Sequence, residues 1–100
     1  MRPEDIDKSC RVDWVLNPID FYRYQKFKLG TKLFKLTDTG YPYFMALGMY
    51  YPESKKAVVC RVGRWKLRMA HELGHHEGLE HTMKIGYIMH PWGLFRGWKK

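Results

Sequence analysis

Three histidines and a glutamate stand close together in residues 71–81, at spacings that suit a bound metal ion. His71 and His75 are four residues apart, so on an α-helix both imidazoles leave the same face, about 6 Å apart along the axis. Glu72 is rotated from His71 by about 100°, which puts its carboxylate beside a shared ion rather than on it. A carboxylate in that position can accept a proton from a metal-activated water.

His81 completes this set only if the chain turns back after the helix. Gly78 can adopt the left-handed backbone that ends a helix and reverses the chain, so His81 can return as a third nitrogen ligand. Three protein nitrogens and one position for water form the open arrangement of a catalytic zinc, whereas structural zinc sites are closed. The spacing therefore predicts one catalytic zinc ion held by His71, His75 and His81.

The pattern His71-Glu72-x-x-His75-x-x-Gly78-x-x-His81 resembles the extended zinc motif of the metzincin metallopeptidases. Residues 86–91 (Gly-Tyr-Ile-Met-His-Pro) resemble the methionine turn of that clan, and their glycine and proline are similar to those of the matrixin branch. The resemblance covers residues 65–92. It implies a zinc-dependent endopeptidase acting on a peptide or protein substrate.

The same resemblance implies roles for single residues. Glu72 would be the general base, and Met89 would pack below the metal without binding it. Pro91, Trp92 and Leu94 would form walls of the pocket for the residue just after the cut bond. Because all five histidines lie between positions 71 and 90, we expect a single zinc and none of the family's calcium sites.

Length and composition indicate one folded domain over residues 1–100, with 45% hydrophobic and 16% aromatic residues. The formal net charge of +8 suits either a solvated basic surface or attraction to acidic partners. Nucleic acid is one such partner, although no nucleic-acid-binding motif accompanies the charge. Two alternatives thus stay open: a basic, nucleic-acid-associated zinc protein, and a peptidase restricted to itself or to one dedicated target.

The sequence has no apolar run long enough to span a membrane, and Met1–Lys8 lacks the apolar stretch of a signal peptide. We therefore expect a cytoplasmic protein, or one secreted by another route or as a mature form, and we expect it to be a monomer. Cys10 and Cys60 could pair, although buried free thiols are typical of cytosolic proteins. By similarity to the family's propeptide switch, Cys10 could instead cap the zinc.

The pattern of apolar residues predicts a small, metzincin-like α+β domain. Its mixed, twisted sheet of about four strands would have a backing helix and a buried active-site helix, followed by the methionine turn. The predicted strands are Cys10–Leu16, Thr31–Leu36, Tyr43–Tyr51 and Ala57–Val62, with a hairpin loop at Pro52–Lys56 and a helix from Asn17-Pro18 to Gly30. By resemblance, residues 43–50 would be the exposed edge over the cleft.

The active-site helix should begin near Arg64 or Trp65, with Gly63 as its cap. Its apolar residues form two stripes, so we expect it to be buried between two layers. The stripes are Trp65, Met69 and Leu73 on one side, and Leu67, Ala70 and Gly74 on the other.

Overall fold

A computed structural model describes residues 2–90 of the chain, which form a small α+β domain. Within this range, no helix has the length and apolar character needed to cross a membrane. The helices are α1 (Pro3–Lys8), α2 (Pro18–Leu29) and α3 (Trp65–His76), and the strands are β1 (Asp13–Leu16), β2 (Gly48–Tyr51) and β3 (Lys56–Cys60). Two short 3-10 helices, Gly30–Phe34 and Tyr43–Met45, lie between α2 and β2.

The three strands form one mixed sheet in the order β1-β3-β2. β3 is central and fully buried, and it pairs in parallel with β1 and antiparallel with β2. Because successive side chains of a strand point to opposite faces, β3 feeds two cores. Val58 and Cys60 pack towards α1 and α2, whereas Ala57 and Val59 pack towards α3.

Helix α2 begins and ends as the sequence predicted. Asn17 is its N-cap and accepts a hydrogen bond from the Asp20 backbone N–H at 2.8 Å, which satisfies one unpaired donor of the first turn. Pro18 occupies the first helical position, where its missing N–H has no cost. Gly30 ends the helix with φ of +54°, a backbone conformation that side chains disfavour.

Helix α3 lies between two apolar layers, as its two stripes predicted. Trp65, Met69 and Leu73 pack on the sheet with Ala57 and Val59. The opposite stripe packs on the chain that follows the helix: Leu67 and Ala70 contact a cluster formed by Leu79, Ile88 and Met89. The cap prediction was wrong by one residue, because Arg64, at φ of +62°, is the N-cap in place of Gly63.

The strand predicted at residues 31–36 is wrong. This segment is the 3-10 helix Gly30–Phe34, in which Leu33 alone is buried, while Phe34 and Leu36 are 73% and 64% exposed. A strand would need continuous pairing and an alternating buried face, but the segment has only one isolated bridge, between Leu36 and Pro42, and no alternation of burial. The strand predicted at residues 43–51 is shorter, because it begins with the 3-10 helix Tyr43–Met45 and is extended only over β2. Residues 2–90 thus contain three strands, not about four.

The sequence reading missed helix α1, whose Pro3 start and acidic first turn are favourable features of a helix N-terminus. Its one buried residue, Ile6, is 1% exposed and packs on the core shared with α2. The first strand is correspondingly shorter than predicted and starts at Asp13. Both cysteines are free thiols, with Cys10 exposed and Cys60 buried.

Gly74 permits the close packing of α3 on Met89, and a change to alanine tests this contact. A Cβ at position 74 would overlap Met89 Sδ, whereas a Cβ at Gly63 would meet no atom within 4 Å. Alanine favours a helix by about 1 kcal/mol over glycine, but overpacking costs about 1–3 kcal/mol. We expect Gly74→Ala to lower the free energy of unfolding by up to about 2 kcal/mol, the overpacking cost less the helix gain, measured by urea denaturation. The matched Gly63→Ala variant should stay within about 0.5 kcal/mol of the parent, and equal effects of both changes would contradict this packing.

Candidate metal centre

The three predicted histidine ligands come together in the structure. His71 and His75 lie one turn apart on α3, and Gly78, at φ of +92°, reverses the chain so that His81 returns to them. The Nε2 atoms of His75 and His71 are 3.2 Å apart, and those of His75 and His81 are 3.0 Å apart. One ring nitrogen from each histidine lies within 4.8 Å of the other two, so the three could hold one metal ion.

Backbone carbonyls fix the orientation of two of these rings. His71 Nδ1 is 2.7 Å from the Ile88 carbonyl oxygen, and His75 Nδ1 is 3.0 Å from that of Leu79. A carbonyl oxygen only accepts, so the proton of each neutral ring is placed on Nδ1. Both Nε2 atoms then carry lone pairs directed towards the same point. This is the tautomer that a metal ligand needs, held by the kind of outer hydrogen bond that metal-binding histidines make.

The spacing of the nitrogens matches a small divalent ion. Nitrogen ligands at 2.0–2.1 Å around a tetrahedral zinc stand about 3.3–3.4 Å from one another. The observed separations of 3.2 and 3.0 Å are close to that value. Imidazole nitrogen suits zinc, copper, iron and nickel rather than calcium or magnesium. The residues therefore fit a transition-metal ion with three protein ligands.

The segment that follows His81 packs on the helix that carries His71 and His75. His90 N–H donates to the Tyr87 carbonyl at 3.1 Å, which makes a tight turn, and Thr82 N–H donates to the Met89 carbonyl at 3.1 Å. Met89 is 2% exposed and packs against α3 at Gly74, between His71 and His75. Met89 thus lies in a tight turn that packs on the helix carrying His71 and His75.

Glu72 is buried on the face of α3 that meets β2. Only 7% of it is exposed, and it lines a pocket of about 710 Å³ together with His71, His75 and His81. Gly48 of β2 makes room for it, because a Cβ at position 48 would stand 3.2 Å from Glu72 Oε1. The predicted base and the three predicted ligands therefore share one pocket.

Burial moves the ionisation of these groups towards their neutral forms. It raises the pKa of Glu72 to about 8 and lowers the pKa of His71 to about 4, although the hydrogen bond to Ile88 partly opposes the latter change. Burial also lowers the pKa of His75 and of His81. Neutral imidazoles are the form that binds a metal ion. A bound dication would in turn stabilise the Glu72 carboxylate.

The other two histidines are not part of the cluster. His76 is exposed, and its Nδ1 is 2.8 Å from the hydroxyl of Tyr50 on β2. His90 is 2% exposed, in the turn beside Met89. The ring orientations of His71 and His75 need no carboxylate partner, because backbone carbonyls fix them.

Several residues of the pocket were not anticipated from the sequence. Asp38 lies in the turn after the first 3-10 helix, and its charge partly opposes the lowered pKa of His75 and His81. Arg68 lies on α3 one turn before Glu72, so helical spacing alone could have identified it. Gly48 and Tyr50 come from β2, and no local pattern connects them to the histidines.

Three predicted pocket residues, Pro91, Trp92 and Leu94, lie outside the described residues. Cys10, considered as a cap on the metal, is exposed and is not among the residues that line the pocket.

Comparisons of the chain with protein-family models, with curated proteins and with solved structures give no match. Function is therefore inferred from the site itself.

The ligand assignment predicts different effects for two neighbouring histidines. We expect His81→Ala to weaken zinc binding by 100-fold or more, because two imidazoles cannot replace three ligands. His76→Ala should leave zinc affinity unchanged, since His76 is exposed and lies outside the cluster. Affinity is measured by competition with a chromophoric chelator. Full zinc affinity in the His81 variant would show that His81 is not a ligand.

The raised pKa of Glu72 predicts how stability of the metal-free protein changes with pH. Between pH 6.5 and 8 the folded state binds more protons than the unfolded state, whose glutamate ionises near 4.5, so stability falls as pH rises. His71, His75 and His81, whose pKa values are lowered, act with opposite sign, chiefly below about pH 6.5. We expect the free energy of unfolding to fall by about 1–2 kcal/mol from pH 6.5 to 8, measured by denaturation with chelator present. Glu72→Gln should remove this dependence of the free energy of unfolding on pH. If the dependence is unchanged in that variant, it does not come from Glu72.

Proposed function

We propose that this protein is a zinc-dependent metalloendopeptidase, a minimal member of the metzincin type with matrixin-like features. The observation that carries the proposal is the convergence of three imidazole Nε2 atoms in one pocket with a buried glutamate. Three nitrogen ligands would leave a fourth metal position for water, and Glu72 lines the same pocket. This combination is what hydrolysis by a metal-activated water requires.

Zinc is the proposed ion, because three histidines with an open position are a common ligand set of catalytic zinc. Bound there, zinc would supply Lewis acidity that polarises a peptide carbonyl and acidifies water. The chain supports this choice by holding His71 and His75 in the tautomer with Nε2 available. Met89, packed below the ligands against Gly74, supports the likeness to a methionine turn.

Glu72 would act as the general base and then as the general acid. Its carboxylate accepts a proton from the attacking water and returns it to the leaving amine, so no covalent intermediate with the protein is needed. The buried position of Glu72 against Gly48 restricts its side chain and keeps it directed to the pocket. A restricted base loses less entropy when it reaches the reacting proton.

The substrate would lie along β2. β2 is an edge strand of the sheet, and its other side pairs with no strand among residues 2–90. Gly48, Met49, Tyr50 and Tyr51 all line the pocket. An extended peptide can therefore add to this edge through backbone hydrogen bonds, which would place its carbonyls across the histidines. Such binding depends little on side chains and suits a protein or peptide substrate.

Removing the base tests the proposed chemistry. We expect Glu72→Gln to keep zinc affinity and to lose about 10²–10⁴-fold in the rate of peptide cleavage, because general-base catalysis contributes that much. Cleavage of a peptide library is followed by mass spectrometry, with and without a chelator. The matched variant Glu77→Gln, changed at the exposed end of α3, should keep the parental rate. Equal rates in the Glu72 variant and the parent would exclude Glu72 as base, and no chelator-sensitive cleavage by the parent would refute the peptidase.

A further inference from the structure

Arg68 lines the same pocket as the histidines and Glu72 but has no role in the proposed chemistry. It lies four residues before Glu72, so the two side chains leave the same face of α3, one turn apart. Its Nη2 donates to the carbonyl oxygens of Val62 at 2.6 Å and Gly63 at 2.5 Å. These two hydrogen bonds tie the guanidinium to the loop between β3 and α3 and limit its rotation.

No acidic side chain among residues 2–90 forms an ion pair with Arg68. Among residues 2–90 the ion pair found is between Lys28 and Asp7, far from Arg68 in sequence, and Arg68 bonds only to carbonyl oxygens. Residues 91–100 contain no aspartate or glutamate. Its Nε is buried without a hydrogen-bond partner in the described range. A half-buried guanidinium that has unused N–H donors binds a carboxylate more strongly than an exposed guanidinium would, because the surrounding dielectric constant is lower.

We propose that Arg68 forms a carboxylate-binding subsite and makes this enzyme selective for peptides with an acidic group next to the cut bond. The inference rests on the proposed peptidase function, of which it names the substrate class. Because Glu72 returns its proton to the leaving amine, the amine side of the substrate lies on the side of Glu72. Arg68 is one helical turn beyond Glu72, so it faces the side chain or the terminal carboxylate on that amine side.

The geometry distinguishes Arg68 from the rest of the positive surface. It is the one lysine or arginine among the pocket-lining residues of the described chain, although the protein has 18 such residues. Its fixed guanidinium is preorganised, so binding a carboxylate there costs little side-chain entropy. Lys66, on the same helix but exposed, carries the same charge and does not line the pocket. Lys66 therefore offers a matched control.

The test uses N-acetylated, C-terminally amidated peptides that differ at one scanned position by Glu, Gln or Lys. A second set carries Gln at that position and a free C-terminal carboxylate. Comparison of the two sets shows whether the recognised carboxylate belongs to an acidic side chain or to the end of the peptide. The zinc-loaded parent, Arg68→Gln, Arg68→Lys and Lys66→Gln are compared by kcat/KM. Binding of the same peptides is measured with zinc-loaded Glu72→Ala, alone and combined with Arg68→Gln.

We expect the parent to favour the Glu peptide, or the Gln peptide with a free terminus, over the amidated Gln peptide by about 10- to 100-fold. Lys66→Gln should keep this ratio, Arg68→Lys should keep part of it, and Arg68→Gln should bring it close to one. A structural defect would slow all peptides alike and leave the ratio intact. A ratio near one in the parent, or a preserved ratio in Arg68→Gln, would overturn the subsite.

The binding arm separates failure of the subsite from failure of the peptidase. If the parent cleaves nothing but the Glu72→Ala protein binds acidic peptides through Arg68, the subsite stands and the peptidase proposal falls. If peptides are cleaved without regard to acidic groups, the peptidase stands and the subsite falls. If nothing is cleaved and no acidic group improves binding, both are refuted.

Discussion

Two hydrogen bonds from imidazoles to backbone carbonyls hold the candidate metal centre together. His71 donates to Ile88 and His75 to Leu79, and both acceptors lie after the helix that carries the histidines. The ligand geometry of α3 is therefore fixed by the chain that follows it. That chain must reverse at Gly78 and pack Ile88 and Met89 on the far side of α3. The site and the final part of the described fold thus depend on each other.

This dependence explains why α3 is buried on two sides in so small a domain. A helix at the surface would present its histidines to water, and their Nδ1 atoms would have no fixed acceptors. Between the sheet and residues 79–90, the same side chains lose hydration and stay neutral, as the lowered pKa of His71 indicates. Burial of polar groups lowers stability unless a partner compensates it. A bound cation would provide that compensation by binding the folded state alone.

The grouping of the three histidines could be predicted from sequence because it depends on local spacing. His71, Glu72 and His75 are related by helix geometry, and the reversal at Gly78 needs only a residue that tolerates a positive φ. The limits of α2 were equally local, since Asn17 and Gly30 cap it with their own atoms. The two stripes of α3 also predicted that the helix would be buried between two layers.

The remaining features depend on contacts between distant residues. Nothing near Gly48 in the sequence shows that its missing side chain makes room for Glu72. Nothing near Ile88 shows that its carbonyl would accept from His71. The segment after Gly30 was misread because its apolar residues fit a short strand and a 3-10 helix equally well. Tertiary packing decided between them by burying Leu33 alone.

The net charge of +8 would attract substrates from a distance, whereas the charge of Arg68 would act only on a bound substrate. The two would therefore affect substrate selection differently. A field from the whole surface attracts any acidic chain, but it is screened over about 10 Å at 0.1 M salt and does not distinguish positions along a peptide. Arg68 lines the pocket, and its guanidinium is half-buried and held by the carbonyls of Val62 and Gly63, so its charge is screened less than that of an exposed side chain. It can therefore discriminate where on the substrate the acid stands relative to Glu72. The basic surface would raise the rate of encounter, whereas the register of the bound peptide would be decided by one fixed guanidinium.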